Sequence, residues 1–153
     1  MLARDLAQTF PTVTLDTEAL DAARMLTENR LPGLIVLDEH GHPYTVLPGS
    51  QVLRFVVPTY VQDDPALARA YDEKSADQLC AKLVSRQVRD VLPKRKDVLD
   101  LPIVAPDATA IEVAAQMAGM HSPIVAVVDG SALLGAITVS GLLAHLLDIG
   151  PTS

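Results

Sequence analysis

The stretch Asp16–Leu26, DTEALDAARML, decides the fold, because a similar stretch returns 91 positions later as Asp107–Met117, DATAIEVAAQM. The same offset joins Asp38 to Asp129. The similarity is weak residue by residue, but the order of features is the same in both halves. Because a fixed period indicates repeated structural units, the sequence predicts two copies of one supersecondary unit.

Short apolar runs predict three strands in each copy. Leu34–Leu37 and Ile124–Val128 are continuous and rich in β-branched residues, which is typical of buried strands. Turn-forming residues follow both runs, at Asp38–Gly41 and Asp129–Ser131, and suit a hairpin. The remaining strands are predicted at Val13–Leu15, Tyr44–Leu47, Ile103–Ala105 and Leu133–Ile137.

Two helices complete each copy and give it the order β-α-β-β-α. The first helix should run from Glu18 to Asn29 with Asp16 as its cap, and its counterpart should be capped by Asp107. The expected apolar stripes are Leu20, Ala23, Leu26 and Thr27, and then Ile111, Ala114, Ala115 and Ala118. The last helices are predicted at Ser50–Val56 and Ser140–Leu147. A unit this small cannot cover both faces of its own sheet, so we expect an α/β fold in which two units pack together.

The repeat divides the chain into three segments. Residues 1–58 form the first copy, residues 59–87 a helical linker and residues 88–153 the second copy. Within the linker, Pro65 can open one helix, and Ser75–Gln78 has the pattern of a capping box for another. This Ala-rich, amphipathic insertion is either a linker that packs on the pair or a helix that binds a partner.

Composition excludes several classes of protein. With 12 basic and 19 acidic residues the net charge is −7, so nucleic acid is not an expected partner. The basic run Lys94–Lys96 lies among acidic residues and is interpreted as a solvated loop. No apolar run has the length of a membrane span and the N-terminus lacks a signal pattern, so we expect a cytoplasmic protein without membrane insertion. The single Cys80 excludes an internal disulfide and is predicted to be a buried, unreactive helix thiol.

Sequence motifs of catalysis are missing. The sequence has no glycine-rich phosphate loop, no nucleophile elbow and no Cys/His pairing at a recognised spacing. His40 and His42 flank Gly41 in a turn, but a metal site would need a further spaced ligand. We therefore predict that the protein is not an enzyme and has neither a metal nor a resident cofactor.

Two copies of this order resemble the cystathionine-β-synthase-type (CBS) domain, which occurs in tandem as a Bateman module. The second copy carries the resemblance best, in Ser122–Asp129, SPIVAVVD, and Leu134–Leu143, LGAITVSGLL. The resemblance implies two units related by pseudo-two-fold symmetry through their sheets. It also implies clefts that bind AMP, ATP or S-adenosylmethionine, and control of a separate enzyme or transporter, since the sequence contains no effector domain.

The ligand signature of this family is Gly, two apolar residues, Thr or Ser, two further residues and Asp. The second copy has Gly135 and Thr138 but Gly141 at the Asp position, and the first copy has Pro48 and Gln51 at the Thr and Asp positions. Family position implies a ligand site made of Ile103, His121, Ser122, Ile124, Thr138, Ser140 and Gly141. Two alternatives stay open, since Thr138 can be only a helix cap and His121 only the end of the preceding helix.

Two functional hypotheses follow. The first is a stand-alone regulatory module that senses an adenosine-containing small molecule and acts on a separate protein. The second is a ligand-free dimerisation or scaffold module that has kept the fold and lost the sensor. In both, a homodimer through the last helices and the Ala-rich helices is expected, because Leu142, Leu143, Leu146 and Leu147 cannot all face one small core.

Overall fold

The computed structural model describes residues 1–94, 97–98 and 100–148. Within them, both halves have the predicted order β-α-β-β-α, each preceded by a short helix. The first half comprises α1 (Ala3–Leu6), β1 (Thr12–Thr14), α2 (Ala19–Glu28), β2 (Gly33–Leu37), β3 (Pro43–Pro48) and α3 (Gly49–Val56). The linker comprises α4 (Thr59–Asp63), a 3₁₀ helix (Pro65–Ala70), α5 (Glu73–Cys80) and a second 3₁₀ helix (Ala81–Leu83). The second half comprises α6 (Val88–Val91), β4 (Ile103–Val104), α7 (Ala110–Met120), β5 (Ile124–Asp129), β6 (Ala132–Thr138) and α8 (Val139–Leu147).

The six strands form two sheets with the same topology, in the orders β1-β2-β3 and β4-β5-β6. In each sheet the first pair is parallel and the second pair is antiparallel. The antiparallel register shifts between Val36 and Leu37 in one sheet and between Val127 and Val128 in the other. These positions are 91 apart, so the duplication extends to an irregularity that no sequence pattern announced.

The sheets pack face to face and form the core between the repeats. This core consists of Ile35, Val46, Leu101, Ile124, Ala126 and Ala136. Ile35 and Ala126 occupy equivalent positions in the two copies, which is what pseudo-two-fold packing through the sheets requires. Ile35 and Ile124 are both fully buried, and each such side chain contributes about 1.5–3 kcal/mol to folding.

The predicted helix caps are wrong by two residues. The N-caps are Glu18 and Thr109, and the Thr109 hydroxyl accepts a hydrogen bond from the Glu112 N–H at 3.2 Å. Asp16 instead pairs with the guanidinium of Arg89. Asp is as good a cap as Thr, so local propensity alone did not decide between the two positions.

The predicted stripe of α2 is correct at Leu26, with Leu20 and Ala23 packed on the core, but wrong at Thr27, and the stripe of α7 is largely wrong. Helix α2 buries Ala19, Ala22 and Leu26, whereas Thr27 is exposed and its hydroxyl donates to the Arg24 carbonyl. Helix α7 buries Val113 and Met117, and the expected core residue Ile111 is 69% exposed. The sequence AIEVAAQMAGM is apolar on almost every side, so its periodicity does not select one face.

The two units exchange their leading segments. The N–H of Ala3 donates to the Ala108 carbonyl at 2.8 Å, so that α1 lies on the second unit. In return, the N–H of Val88 donates to the Thr17 carbonyl at 2.8 Å, and α6 packs into the core of the first unit. Each compact unit therefore contains a segment from the other side of the linker.

Gly135 makes room for one of these exchanges. Gln8 and Ala136 exchange two backbone hydrogen bonds of 3.0 Å, which add the N-terminal segment to the edge of β6. A Cβ atom on Gly135 would lie 2.6 Å from the Gln8 carbonyl oxygen. The glycine is needed here because another backbone approaches closely.

The linker differs in detail from its prediction. Pro65 does open a helix, of the 3₁₀ type, but Ser75 is not a cap, because Asp72 caps α5 by accepting from the Ser75 N–H at 2.8 Å. Cys80 is exposed, so the prediction of a buried thiol is wrong. Its helix, EKSADQLC, has too few apolar residues to bury a face.

Two further predictions concern the surface. In the basic run, Lys94 is exposed, whereas Arg95 and Lys96 lie outside the described residues. Across the part of the chain that the structure describes, no helix has both the length and the apolar character needed to cross a bilayer.

Candidate ligand clefts between the repeats

Most of the predicted site residues lie at one end of the second sheet. Strands β4 and β5 begin at this end of the sheet and β6 finishes there, so Ile124 pairs directly with Thr138. The Val139 N–H donates to the Pro123 carbonyl at 3.1 Å and ties the start of α8 to the start of β5. Ile103 is on the neighbouring strand, where it pairs with Ala126.

Thr138 caps helix α8. Its hydroxyl accepts a hydrogen bond from the Gly141 N–H at 3.1 Å and lies 3.2 Å from the Ser140 hydroxyl. The structural role left open for Thr138 is therefore present. The cap satisfies one of the four N–H groups that a helix start leaves without an intrahelical partner.

His121 and Ser122 form the turn from α7 into β5. His121 ends the helix in the left-handed conformation, with φ 52°, which confirms that it finishes the preceding helix. The buried Ser122 hydroxyl donates to the Ile124 carbonyl at 2.7 Å. That hydroxyl stabilises the turn, while the imidazole of His121 is exposed to solvent.

A cavity of about 220 Å³ lies beside this turn, between the repeats. It is lined by Val46 of the first repeat together with Asp100, Met120, His121, Ser122 and Pro123. Ile103 lines a separate cavity of about 540 Å³ beside α7, with Asp107, Glu112 and Gln116 among its neighbours. The structure thus brings His121 and Ser122 together in one cavity and places Ile103 in another.

A larger cleft of about 730 Å³ opens at the corresponding end of the first sheet, where β3 finishes. Its walls come from the end of β3, from α3, from the start of the linker and from the segment after α6. The lining residues are Val46, Pro48, Ser50, Gln51, Arg54, Phe55, Thr59, Gln62, Leu92, Pro93, Lys94 and Asp97. Val46 lines both this cleft and the 220 Å³ cavity, so the two are neighbours.

The first-repeat cleft was missed by the sequence analysis, which weighed only the motif positions. Arg54 follows the motif by one helical turn, and Lys94 is forty positions further along the chain. A charge that reaches a cleft from so distant a segment leaves no periodic signal. The one available hint was that Arg54 and Gln51 share a helix face at a spacing of three.

An apolar groove of about 470 Å³ runs between α7 and α8, and it adjoins the 220 Å³ cavity, because His121, Ser122 and Pro123 line both. Met117, Leu142 and Leu146 form its floor as members of the second core or its packed neighbours. Leu143 lines the groove while 48% exposed, and Leu147, one helical turn further on, is 81% exposed. The last helix thus carries apolar surface that its own unit leaves open.

The His-containing turn is built around Asp38. One oxygen of its carboxylate accepts from the N–H groups of His40 and His42, both at 2.9 Å. These bonds, above all that from His42, lower the pKa of Asp38 below its ordinary value. Among the described residues, no three His, Cys, Asp or Glu side chains come together as a metal-binding group.

Comparison with known proteins places this fold. Residues 88–148 match the family model of the CBS domain. A CBS domain-containing protein of unknown function from Kribbella flavida is 50% identical to this chain, with a TM-score of 0.85, and the similarity covers 96% of this chain and 99% of that one. The chain therefore belongs to the CBS-domain family.

Paired CBS proteins share the architecture at lower identity. The CBS-pair protein CBSX2 from Arabidopsis thaliana is 18% identical with a TM-score of 0.72, covering 97% of this chain and 95% of that one. A structure of CBSX2 in complex with AMP is 18% identical with a TM-score of 0.67, covering 97% of each chain. A search of curated proteins finds no match.

Proposed function

We propose that this protein is a regulatory module that binds an adenosine-containing small molecule between its repeats and acts on a separate protein. AMP, ATP and S-adenosylmethionine are the candidate ligands. One observation carries the proposal: the two neighbouring cavities that share Val46 have walls from both repeats and from the segment that joins them. The 730 Å³ cleft is within the size range of small-molecule sites.

A ligand held between the repeats has a way to signal. It stabilises whichever arrangement of the two units gives it the most contacts, and it shifts their equilibrium by the difference in its affinity for the arrangements. The leading segments exchanged between the units connect the two units, because α1 is covalently joined to the first unit and packs on the second. The known complex of CBSX2 with AMP supports the choice of ligand class. In this proposal the chain controls another protein's activity and is not itself an enzyme.

The apolar groove supports a homodimer. Leu143 lines the groove between α7 and α8, and Leu147 lies beyond its end. Exposed apolar surface of this kind marks association sites in water-soluble proteins. A two-fold dimer would place the same groove of each protomer against its partner. A dimer would also double the number of ligand clefts and join them through one interface.

The scaffold alternative is favoured by the engagement of the motif side chains. The Thr138 hydroxyl is committed to the Gly141 N–H, and the Gln51 side-chain amide donates to the Val91 carbonyl at 2.9 Å. Both side chains thus form hydrogen bonds within the fold at the positions where the family binds its ligand. A module of this kind would keep the fold and the dimer and need no small molecule.

Thermal unfolding with and without ligand distinguishes the two functions. A ligand at 100 times its Kd stabilises the folded state by about 2.7 kcal/mol, which for a chain of this size raises Tm by about 5–10 °C. We expect such a rise with at least one of AMP, ATP and S-adenosylmethionine, and a smaller rise with uridine monophosphate at the same concentration. An unchanged Tm at millimolar levels of all three, in protein that unfolds cooperatively, would remove the sensor and leave the scaffold.

A further inference from the structure

We infer that the first-repeat cleft is a phosphate-selective site in which Arg54 and Lys94 bind the phosphate and Asp97 binds the ribose of a nucleotide. All three residues line the 730 Å³ cleft, and none of them occupies a position of the family signature. The inference rests on the proposed function and adds to it which cleft is used and which charge the ligand carries.

Both Arg54 and Lys94 are exposed within the cleft. Among the described residues, the ion pairs of the protein involve Arg24, His40 and Arg89, and neither cation of the cleft takes part in one. A guanidinium and an ammonium that face one cavity and form no ion pair within the described part of the chain attract an anion, even though the whole chain carries −7.

Hydrogen bonds to neighbouring segments hold the helix that carries Arg54. It stands in the last turn of α3, where the side-chain amide of Gln62 donates to the Arg54 carbonyl at 3.1 Å and to the Val57 carbonyl at 2.8 Å. At the other end of the helix, Gln51 donates to the Val91 carbonyl. Both ends of α3 are thereby fixed to neighbouring segments, so the helix presents Arg54 from a rigid wall.

Lys94 and Asp97 come to the cleft from the segment after α6. The Asp97 N–H donates to the Lys94 carbonyl at 2.7 Å, and both residues line the same cleft. The first repeat lacks the two groups with which the family signature would hold a nucleotide, since Pro48 has no hydroxyl and Gln51 has no charge. Lys94 and Asp97 supply a phosphate donor and a carboxylate acceptor in their place.

The test measures affinity by calorimetry for AMP, ADP and adenosine in magnesium-free buffer. The wild type should bind AMP and ADP more tightly than adenosine, and by about ten- to hundredfold for each charge-assisted contact. The double variant Arg54→Gln/Lys94→Gln should bind AMP no more tightly than adenosine. Asp97→Asn should weaken AMP and adenosine by a similar factor, because both contain the ribose. Arg24→Gln removes one exposed positive charge from α2, outside the cleft, and should leave all three affinities unchanged.

The outcomes separate the two proposals. If the wild type prefers AMP over adenosine and the double variant keeps that preference, the assignment of Arg54 and Lys94 is overturned while ligand binding stands. If adenosine and AMP bind the wild type equally, the phosphate selectivity is overturned. If no adenine compound binds folded wild-type protein, the proposed function falls and this inference falls with it.

Discussion

His121 and Arg30 occupy the same place in the two repeats, 91 positions apart, and both adopt the left-handed conformation, with φ of 52° and 50°. Each lies in the turn between the first helix of its repeat and the buried strand. A residue with a side chain pays a steric cost of about 1–2 kcal/mol for this conformation. Since both copies keep it without glycine, the chain direction at this point is imposed by the packing of helix on sheet.

Replacing Arg30 by Gly should therefore stabilise the protein. The gain from relieved strain exceeds the greater entropy of glycine in the unfolded chain, and we expect a net increase of about 0.5–1 kcal/mol in the free energy of unfolding. The matched control is Arg24→Gly in the middle of α2, where φ is helical and a loss of about 1 kcal/mol is expected. Urea denaturation measures the free energy of unfolding of both variants. An equal loss of stability in the two would contradict the proposal that Arg30 is strained.

Substituting Gly135 by Ala should destabilise the fold and release the N-terminal segment. The added methyl group would lie 2.6 Å from the Gln8 carbonyl oxygen, so that the bridge between Gln8 and Ala136 must open or shift. Overpacking of this kind costs about 1–3 kcal/mol. Hydrogen exchange should show faster exchange at the Gln8 and Ala136 amides.

The control for this change is Gly119→Ala in α7. A methyl group at that position would meet none of the described residues within 4 Å. Because alanine favours the helix, an increase in stability of about 0.5–1 kcal/mol is expected. Unaltered stability in Gly135→Ala would mean that the N-terminal segment does not pack on β6.

The turn at Asp38 predicts a pH dependence. Its pKa is lowered mainly by the His42 N–H, so the folded state holds the proton less tightly than the unfolded chain, whose pKa is about 3.9. The stabilisation is therefore present above pH 4 and is lost as the pH falls through the lower, folded pKa. Asp38→Asn should flatten the decline in stability over this acid range. An NMR titration that placed the Asp38 pKa at or above 3.9 would contradict the prediction.

The strands were predictable for a simple physical reason. Leu34–Leu37 and Ile124–Val128 are buried on both faces, so every residue in them must be apolar, and such a run is visible without knowledge of its neighbours. The faces of the helices were not, because α7 is apolar nearly all round. Which of its residues became core was decided by the sheet it packs on.

The clefts depended on contacts between distant segments, which sequence patterns do not encode. The helix-cap role that the sequence left open for Thr138 is local, so it can be recognised from a Thr just before a predicted helix. By contrast, Arg54 and Lys94 meet in one cleft only because α6 crosses to the first unit and carries the following segment with it. Helices of four residues, such as α1 and α6, are too short for periodicity to announce.

Leu143→Glu should convert the proposed homodimer to a monomer. A carboxylate in the groove between α7 and α8 would have to be buried against its copy, at a cost that an interface of this kind does not offset. Sedimentation velocity at micromolar concentration measures the change. Leu67→Glu is the matched control, because Leu67 has similar exposure, 42%, but lies in the linker. A wild-type monomer at this concentration, or a dimer that survives Leu143→Glu, would contradict the assigned surface.

Gly141→Asp installs the carboxylate that the second repeat lacks, at the position where the family signature has Asp. Its Cβ would lie 3.2 Å from the Thr138 hydroxyl, so the cap must yield by a few tenths of an ångström. The negative charge falls in the first turn of α8, where the helix dipole favours it by about 0.3–1 kcal/mol, and the fold should tolerate the change.

Charge-assisted bonds from the Asp carboxylate to ribose hydroxyls contribute about 1.5–3 kcal/mol, or ten- to hundredfold in affinity. Calorimetric titration with AMP should therefore show that the second-repeat cleft binds AMP more tightly in the variant than in the wild type. Gly141→Asn, which has the same shape and no charge, is the control and should gain less. Folded Gly141→Asp protein that binds AMP no better than wild type would exclude the second-repeat cleft as a nucleotide site.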